Sequence, residues 1–155
     1  MSQPVLELTG VDSGYGDVQV LNGIDMHVDD EEMICLVGPN GAGKSTVLKT
    51  AFGLLEPWKG SVLLNDEDIG GMAPEEIVRE GVGYVPQTDN VFGSLSIDEN
   101  LRMGGVARSD GLKDVLETLY DRFPLLQEKR TAKARTLSGG QRQVLAFARA
   151  RVMEP

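Results

Sequence analysis

Nine consecutive residues, Gly38-Pro39-Asn40-Gly41-Ala42-Gly43-Lys44-Ser45-Thr46, carry the clearest chemistry in this 155-residue sequence. They match G-x-x-x-x-G-K-[ST], the pattern of a loop that wraps phosphate groups. Gly41 and Gly43 would let successive backbone N–H groups curl around phosphate oxygens, where side chains would block the approach. A helix starting at Lys44 would add the partial positive charge of its N-terminus. Lys44 would reach the β- and γ-phosphates, and the Ser45 hydroxyl suits a Mg²⁺ ligand. The plainer alternative is a Gly-rich turn before a helix. The flanks favour phosphate: "MICLVG" lacks alternation, as expected of a strand buried on both faces of a parallel sheet, and a helix is expected from about Lys44 to Leu54.

A second stretch could do related chemistry. In "LSGGQ", Leu137 to Gln141, Ser138 and Gln141 have the spacing of an ordinary helix capping box. Capping does not need Gly139 and Gly140, and glycines cost helix stability. Their use would be close approach of backbone N–H groups and the Ser138 hydroxyl to an anion, giving a second phosphate-binding helix terminus.

The elements that position these loops follow from periodicity. "VLEL", "VQVL" and "IDMHV" read as short strands of a small antiparallel layer. After the helix at Lys44, "EPWKG" makes a turn into the strand-like "SVLLN", Pro74 with Glu75 and Glu76 suits a helix first turn, and "GVGYVPQ" reads as a strand ending in a loop. From Ser96 the pattern turns helical: "SIDE" is a capping box, and "LKDVLETLYDRF" has helical spacing until Pro124 stops it. The single cysteine, Cys35, is expected to be a buried strand residue. His27, the only histidine, reads as a polar residue on the open face of a strand.

Composition limits the functional classes. No apolar run approaches the roughly 18 residues of a membrane span, and the N-terminus lacks a signal-peptide pattern, so the cytoplasm is the expected compartment. With 15 basic and 24 acidic residues the formal net charge is −9, which argues against a nucleic-acid surface. Such acidity suits either a salt-rich cytoplasm or a simple acidic cytosolic protein.

Taken together, these motifs resemble the ATP-binding subunits of ABC transporters, and the resemblance covers essentially the whole chain. Gly38 to Thr46 look like the Walker A loop, Gln87 in "YVPQ" like the Q-loop glutamine, and Leu137 to Gln141 like the ABC signature. Tyr15 is similar to the aromatic residue that stacks on adenine; by itself it could be a turn tyrosine. The resemblance implies an α/β P-loop NTPase fold of the ABC ATPase type, with an N-terminal antiparallel β layer and P-loop core over about 1–94 and a helical subdomain over about 95–150. It implies ATP and Mg²⁺ as ligands, with Tyr15, Gly38, Asn40, Gly41, Gly43, Lys44, Ser45, Thr46, Ser138, Gly139, Gly140 and Gln141 binding nucleotide. Ser45 and Gln87 would serve Mg²⁺, Gln87 also sensing the attacking water. Subunits of this family pair head to tail, so the signature of one closes over ATP held by the other.

The family further implies a Walker B strand, a catalytic Glu and a switch His after the signature. This sequence stops at "ARVMEP", about where that strand should begin, so the core sheet is expected to be incomplete and the 155-residue chain hydrolysis-deficient. His27 precedes the P-loop and cannot be the switch residue. The segments "VPQTDNVFGSLSIDENL" and "DRFPLLQEKRTAKARTLSGGQ" resemble importers of branched-chain amino acids. The implied partners are a second ATP-binding subunit and transmembrane permease subunits, placing the protein on the inner face of the cell membrane. The loop around Gln87 and the helical segment after it would dock the permease. The other reading is a nucleotide-binding or interaction module without turnover; a non-transport ABC ATPase is a third.

Overall fold

The computed structural model describes residues 4–155 and divides into two compact units, Met1–Ile77 and Val78–Pro155. Residues 95–150, expected to be helical, lie in the second unit, which begins earlier, at Val78.

The first unit is built on a four-stranded antiparallel sheet, in the order β2 (Val18–Val28), β1 (Leu6–Tyr15), β3 (Lys59–Leu64), β4 (Glu67–Asp68). β2 joins "VQVL" and "IDMHV" into one long strand. The β1–β2 register slips between Leu8 and Val11 and again on either side of Ser13. Asp12 secures this irregular stretch, accepting a hydrogen bond from Gly23 N (2.7 Å) and pairing with Lys59 Nζ (3.1 Å). Leu8, Val11, Leu21, Val62 and Ile69 are buried in the sheet's core, and helix α1 (Lys44–Ala51) adds Val47 and Ala51. A chain of buried hydroxyls ties α1 to the sheet: Thr50 Oγ1 lies 2.9 Å from Thr46 O and 3.0 Å from Ser13 Oγ, which donates to Glu56 O. Helix α2 (Pro74–Arg79) begins with the expected proline and two glutamates.

Three expectations are corrected here. "MICLVG", residues 33–38, forms no strand, and "GVGYVPQ", residues 81–87, forms none either. Cys35 is exposed rather than buried, and Met33 and Val37 are 93% and 90% exposed. The reason is non-local. A central parallel strand exists only through its neighbours' hydrogen bonds and covering helices, and among the described residues no strand pairs with either segment. His27 is exposed on β2, as expected.

The second unit is helical: α3 (Ile97–Gly104), α4 (Leu112–Arg122), α5 (Pro124–Glu128), a 3₁₀ turn (Ala134–Thr136) and α6 (Gly139–Arg151). Pro124 both ends α4 and occupies the first turn of α5, where its missing N–H costs nothing. Apolar side chains at helical spacing, Ile97 and Leu101 from α3, Leu116 and Leu119 from α4, Leu145 and Ala148 from α6, close one core. Asp98 holds the outer edge of this unit, accepting hydrogen bonds from Arg102 Nε (2.6 Å), Tyr120 Oη (2.7 Å) and Arg130 (2.9 Å). Burial alone would push its carboxyl upward, but these bonds and the two guanidinium charges bring it below the ordinary carboxylate range. Burial, and hydrogen bonding to that anion, push the Tyr120 phenol well up.

Candidate nucleotide site

The loop Gly38–Thr46 runs into α1, which starts at Lys44. Gly41 and Gly43 both take φ 85°, a left-handed conformation in which most side chains are strained. They differ in surroundings. A Cβ at Gly43 would sit 3.1 Å from Leu21 Cδ2, so this glycine lets the loop pack on β2; a Cβ at Gly41 would meet nothing within 4 Å. Open space therefore lies beside a backbone whose next turn is the N-terminus of α1, with Gly43 as the N-cap and no side chain capping the first N–H groups. Lys44 Nζ donates to Gly38 O (2.9 Å) and Pro39 O (2.7 Å), folding its ammonium over the loop with a third proton left to donate. Asn40 and Ser45 are exposed, whereas Thr46 is buried against the hydroxyl chain.

These residues fit a polyphosphate. The loop offers uncapped N–H donors, an ammonium and room, and no carboxylate intrudes on the ammonium's contacts. They also fit Mg²⁺, which keeps several waters and needs only one or two protein oxygens beside those of the phosphates; Ser45 is such an oxygen on the first turn of α1.

Tyr15 ends β1 and lies against α1. Lys49 Nζ donates to its hydroxyl at 3.2 Å. The Thr46 bond, then the Lys49 bond and charge, hold the phenol below its ordinary value. Neither partner is legible from the sequence around Tyr15, because each lies more than thirty positions away.

In the second unit, Ser138 caps α6 as a full capping box: Gln141 N donates to Ser138 Oγ (3.3 Å) and Ser138 N donates to Gln141 Oε1 (3.1 Å). Gly139 and Gly140 are exposed, and a Cβ at either would meet nothing within 4 Å. Gln87 lines a cavity of about 450 Å³ with Asn90, Gly93, Arg135, Gly139, Arg142 and Gln143. Asn90 Nδ2 donates to Gln143 Oε1 (2.7 Å) across it. One further residue escaped sequence reasoning. Asn100 is fully buried, accepting from Phe92 N (2.8 Å) and donating to Phe92 O and Ser96 O, so it fixes the loop that follows Gln87. Its signal was an amide interrupting the apolar face of α3 between Ile97 and Leu101.

Set beside known proteins, residues 21–155 match the sequence pattern of the ABC transporter family. The chain belongs to that family. Its ABC ATPase fold is that of the structure of an ATP-binding subunit of an ABC transporter, with TM-score 0.82 and 30% identity over 97% of this chain and 63% of the other. The probable branched-chain amino acid transport ATP-binding protein LivF of Archaeoglobus fulgidus is 39% identical, over 96% of this chain and 63% of LivF. The Nod factor export ATP-binding protein I of Cupriavidus pinatubonensis is 41% identical, over 97% of this chain and 46% of that protein. The ABC chain described here thus spans less than two thirds of the length of these curated relatives. Among its described residues no helix is long and apolar enough to cross a membrane.

Proposed function

We propose that this chain is the nucleotide-binding part of an ABC transporter ATPase subunit, holding Mg·ATP on the Gly38–Thr46 loop. The observation that carries the reading is the pairing of two left-handed glycines, Gly41 facing open space and Gly43 packed on Leu21, with an uncapped helix N-terminus and the Lys44 ammonium. In this reading the backbone N–H groups of Gly41 to Thr46 and Lys44 bind and neutralise the phosphates, Gly38 and Asn40 shape the loop, and Tyr15 receives the base. Ser45 and Gln87 serve Mg²⁺, which when bound offsets charge on the phosphate oxygens. Ser138, Gly139, Gly140 and Gln141 form a second exposed terminus suited to a phosphate held by another subunit, which supports head-to-tail pairing.

Titration with ATP and Mg²⁺ tests the loop assignment. Wild-type chain should bind, and Lys44→Ala should weaken binding by at least about tenfold, the loss of one charge-assisted hydrogen bond, with unchanged circular dichroism. Equal affinities would overturn the assignment.

Import of branched-chain amino acids is the transport reading we favour, supported by the likeness to LivF and by the segments around Gln87 and the signature. In this reading a permease would dock around Gln87, and the protein would work at the cytoplasmic face of the membrane. Disruption of the gene should abolish energised leucine uptake by the source cells; unaltered uptake would exclude this cargo. The other reading is a nucleotide-binding module without turnover, which steady phosphate release from the purified 155-residue chain would refute.

A further inference from the structure

Tyr15 stands at the very end of β1, before the tight turn to Val18, and is 44% exposed. A tyrosine at such a rim ordinarily exchanges rotamers freely. Here its hydroxyl is held from α1 by Lys49, whose Nζ donates to it at 3.2 Å. The ammonium stands 5.3 Å from the ring centroid. With the phenol oxygen much nearer, it lies off the oxygen end of the ring rather than on a ring face, which leaves the faces available for stacking. The chain carries 24 acidic residues, yet among the described residues Lys49 pairs with no carboxylate. Its polar contact is the phenol. The helix that supplies this grip is also the one whose first turn holds Lys44 and Ser45.

We infer that Lys49 is a positioning residue for base recognition: it clamps the Tyr15 ring at a set distance from the phosphate loop, so that the site prefers nucleotides with an aromatic base over bare polyphosphates. The inference rests on the reading of Tyr15 as the base platform. The lowered phenol ionisation agrees with a persistent donor at the oxygen.

The test measures the affinities of the full chain for ATP and for inorganic tripolyphosphate by calorimetry. Four variants are compared: Tyr15→Ala, Tyr15→Phe, Lys49→Met and Lys49→Arg. Tyr15→Ala should lower ATP affinity by about tenfold, the worth of a stacked base, with tripolyphosphate unchanged. Lys49→Met should lower the ratio of ATP to tripolyphosphate affinity by about threefold, the worth of one ordinary hydrogen bond, and Lys49→Arg should restore it. In an ultraviolet pH titration, with Tyr15→Phe identifying the signal, Lys49→Met should move the Tyr15 ionisation to higher pH. A ratio unchanged by Lys49→Met but lowered by Tyr15→Ala would overturn the clamp and leave the platform standing. A ratio unchanged by Tyr15→Ala would overturn both. Equal losses for ATP and tripolyphosphate in Lys49→Met would reduce Lys49 to a general charge and overturn the clamp.

Discussion

Gly41 and Gly43 share one backbone angle but answer to different constraints, and single methyl groups separate them. Alanine at Gly43 meets both the left-handed strain and Leu21 Cδ2 at 3.1 Å, so Gly43→Ala should lower stability by about 2 kcal/mol; at Gly41 the strain acts alone and about 1 kcal/mol is expected. Urea denaturation should give that order. Nucleotide affinity should be lost in Gly41→Ala even though its fold is the less disturbed, because its methyl would stand in the open space beside the loop. Asp98 is a residue-scale determinant of a different kind. Its folded carboxyl titrates below the ordinary 3.8, so between the two values the unfolded chain binds more protons than the folded one. Its contribution is therefore complete above pH 3.8 and is lost as pH falls through the folded value. Asp98→Asn should cost about 2 kcal/mol at neutral pH, through bonds to charged donors, and should flatten this acid limb. An acid limb identical to wild type in urea midpoints would assign the pH dependence to other groups.

At the scale of elements, the two capping boxes let the same local rule be compared in two settings. Ser96 is 9% exposed and its box is short, with Glu99 N donating to Ser96 Oγ at 3.1 Å and Ser96 N donating to Glu99 Oε2 at 2.6 Å. Ser138 is exposed, with bonds of 3.3 and 3.1 Å. Ser96→Ala should thus cost about 1 kcal/mol and Ser138→Ala about half of that, measured by thermal melts of each variant. Equal costs would mean that solvent replaces neither cap. Both boxes were legible in the sequence because a cap is decided within four residues, and so were α2, β3 and the α3 start. Pro124 was read as a stop, and its second role at the head of α5 follows from the same missing N–H. The strands expected at 33–38 and 81–87 failed for the opposite reason: a strand is a relation to a neighbour, which hydrophobicity along one segment does not specify. The site divides in the same way. The loop glycines, Lys44 and Ser138 were legible from spacing, whereas the Lys49–Tyr15 bond, the Asn90–Gln143 bond and the Asn100 clamp join residues that only folding brings together.

Across the whole molecule, a net charge of −9 coexists with an exposed apolar stretch leading into the phosphate loop, where Met33 and Val37 are 93% and 90% exposed. The two features oppose each other. Like charges keep copies of the chain apart, while an exposed apolar segment favours association or capture of an apolar dye. Repulsion between surfaces is screened within about 8 Å at physiological ionic strength, whereas burial of apolar side chains is not weakened by salt. Added salt should consequently promote self-association, read as a rise in sedimentation coefficient together with binding of a naphthalene-sulfonate dye. Met33→Lys with Val37→Lys should cut both responses by more than half. If instead the double variant binds dye and sediments as the wild type does, the association surface lies elsewhere, and residues 33–37 take cover within the chain in solution.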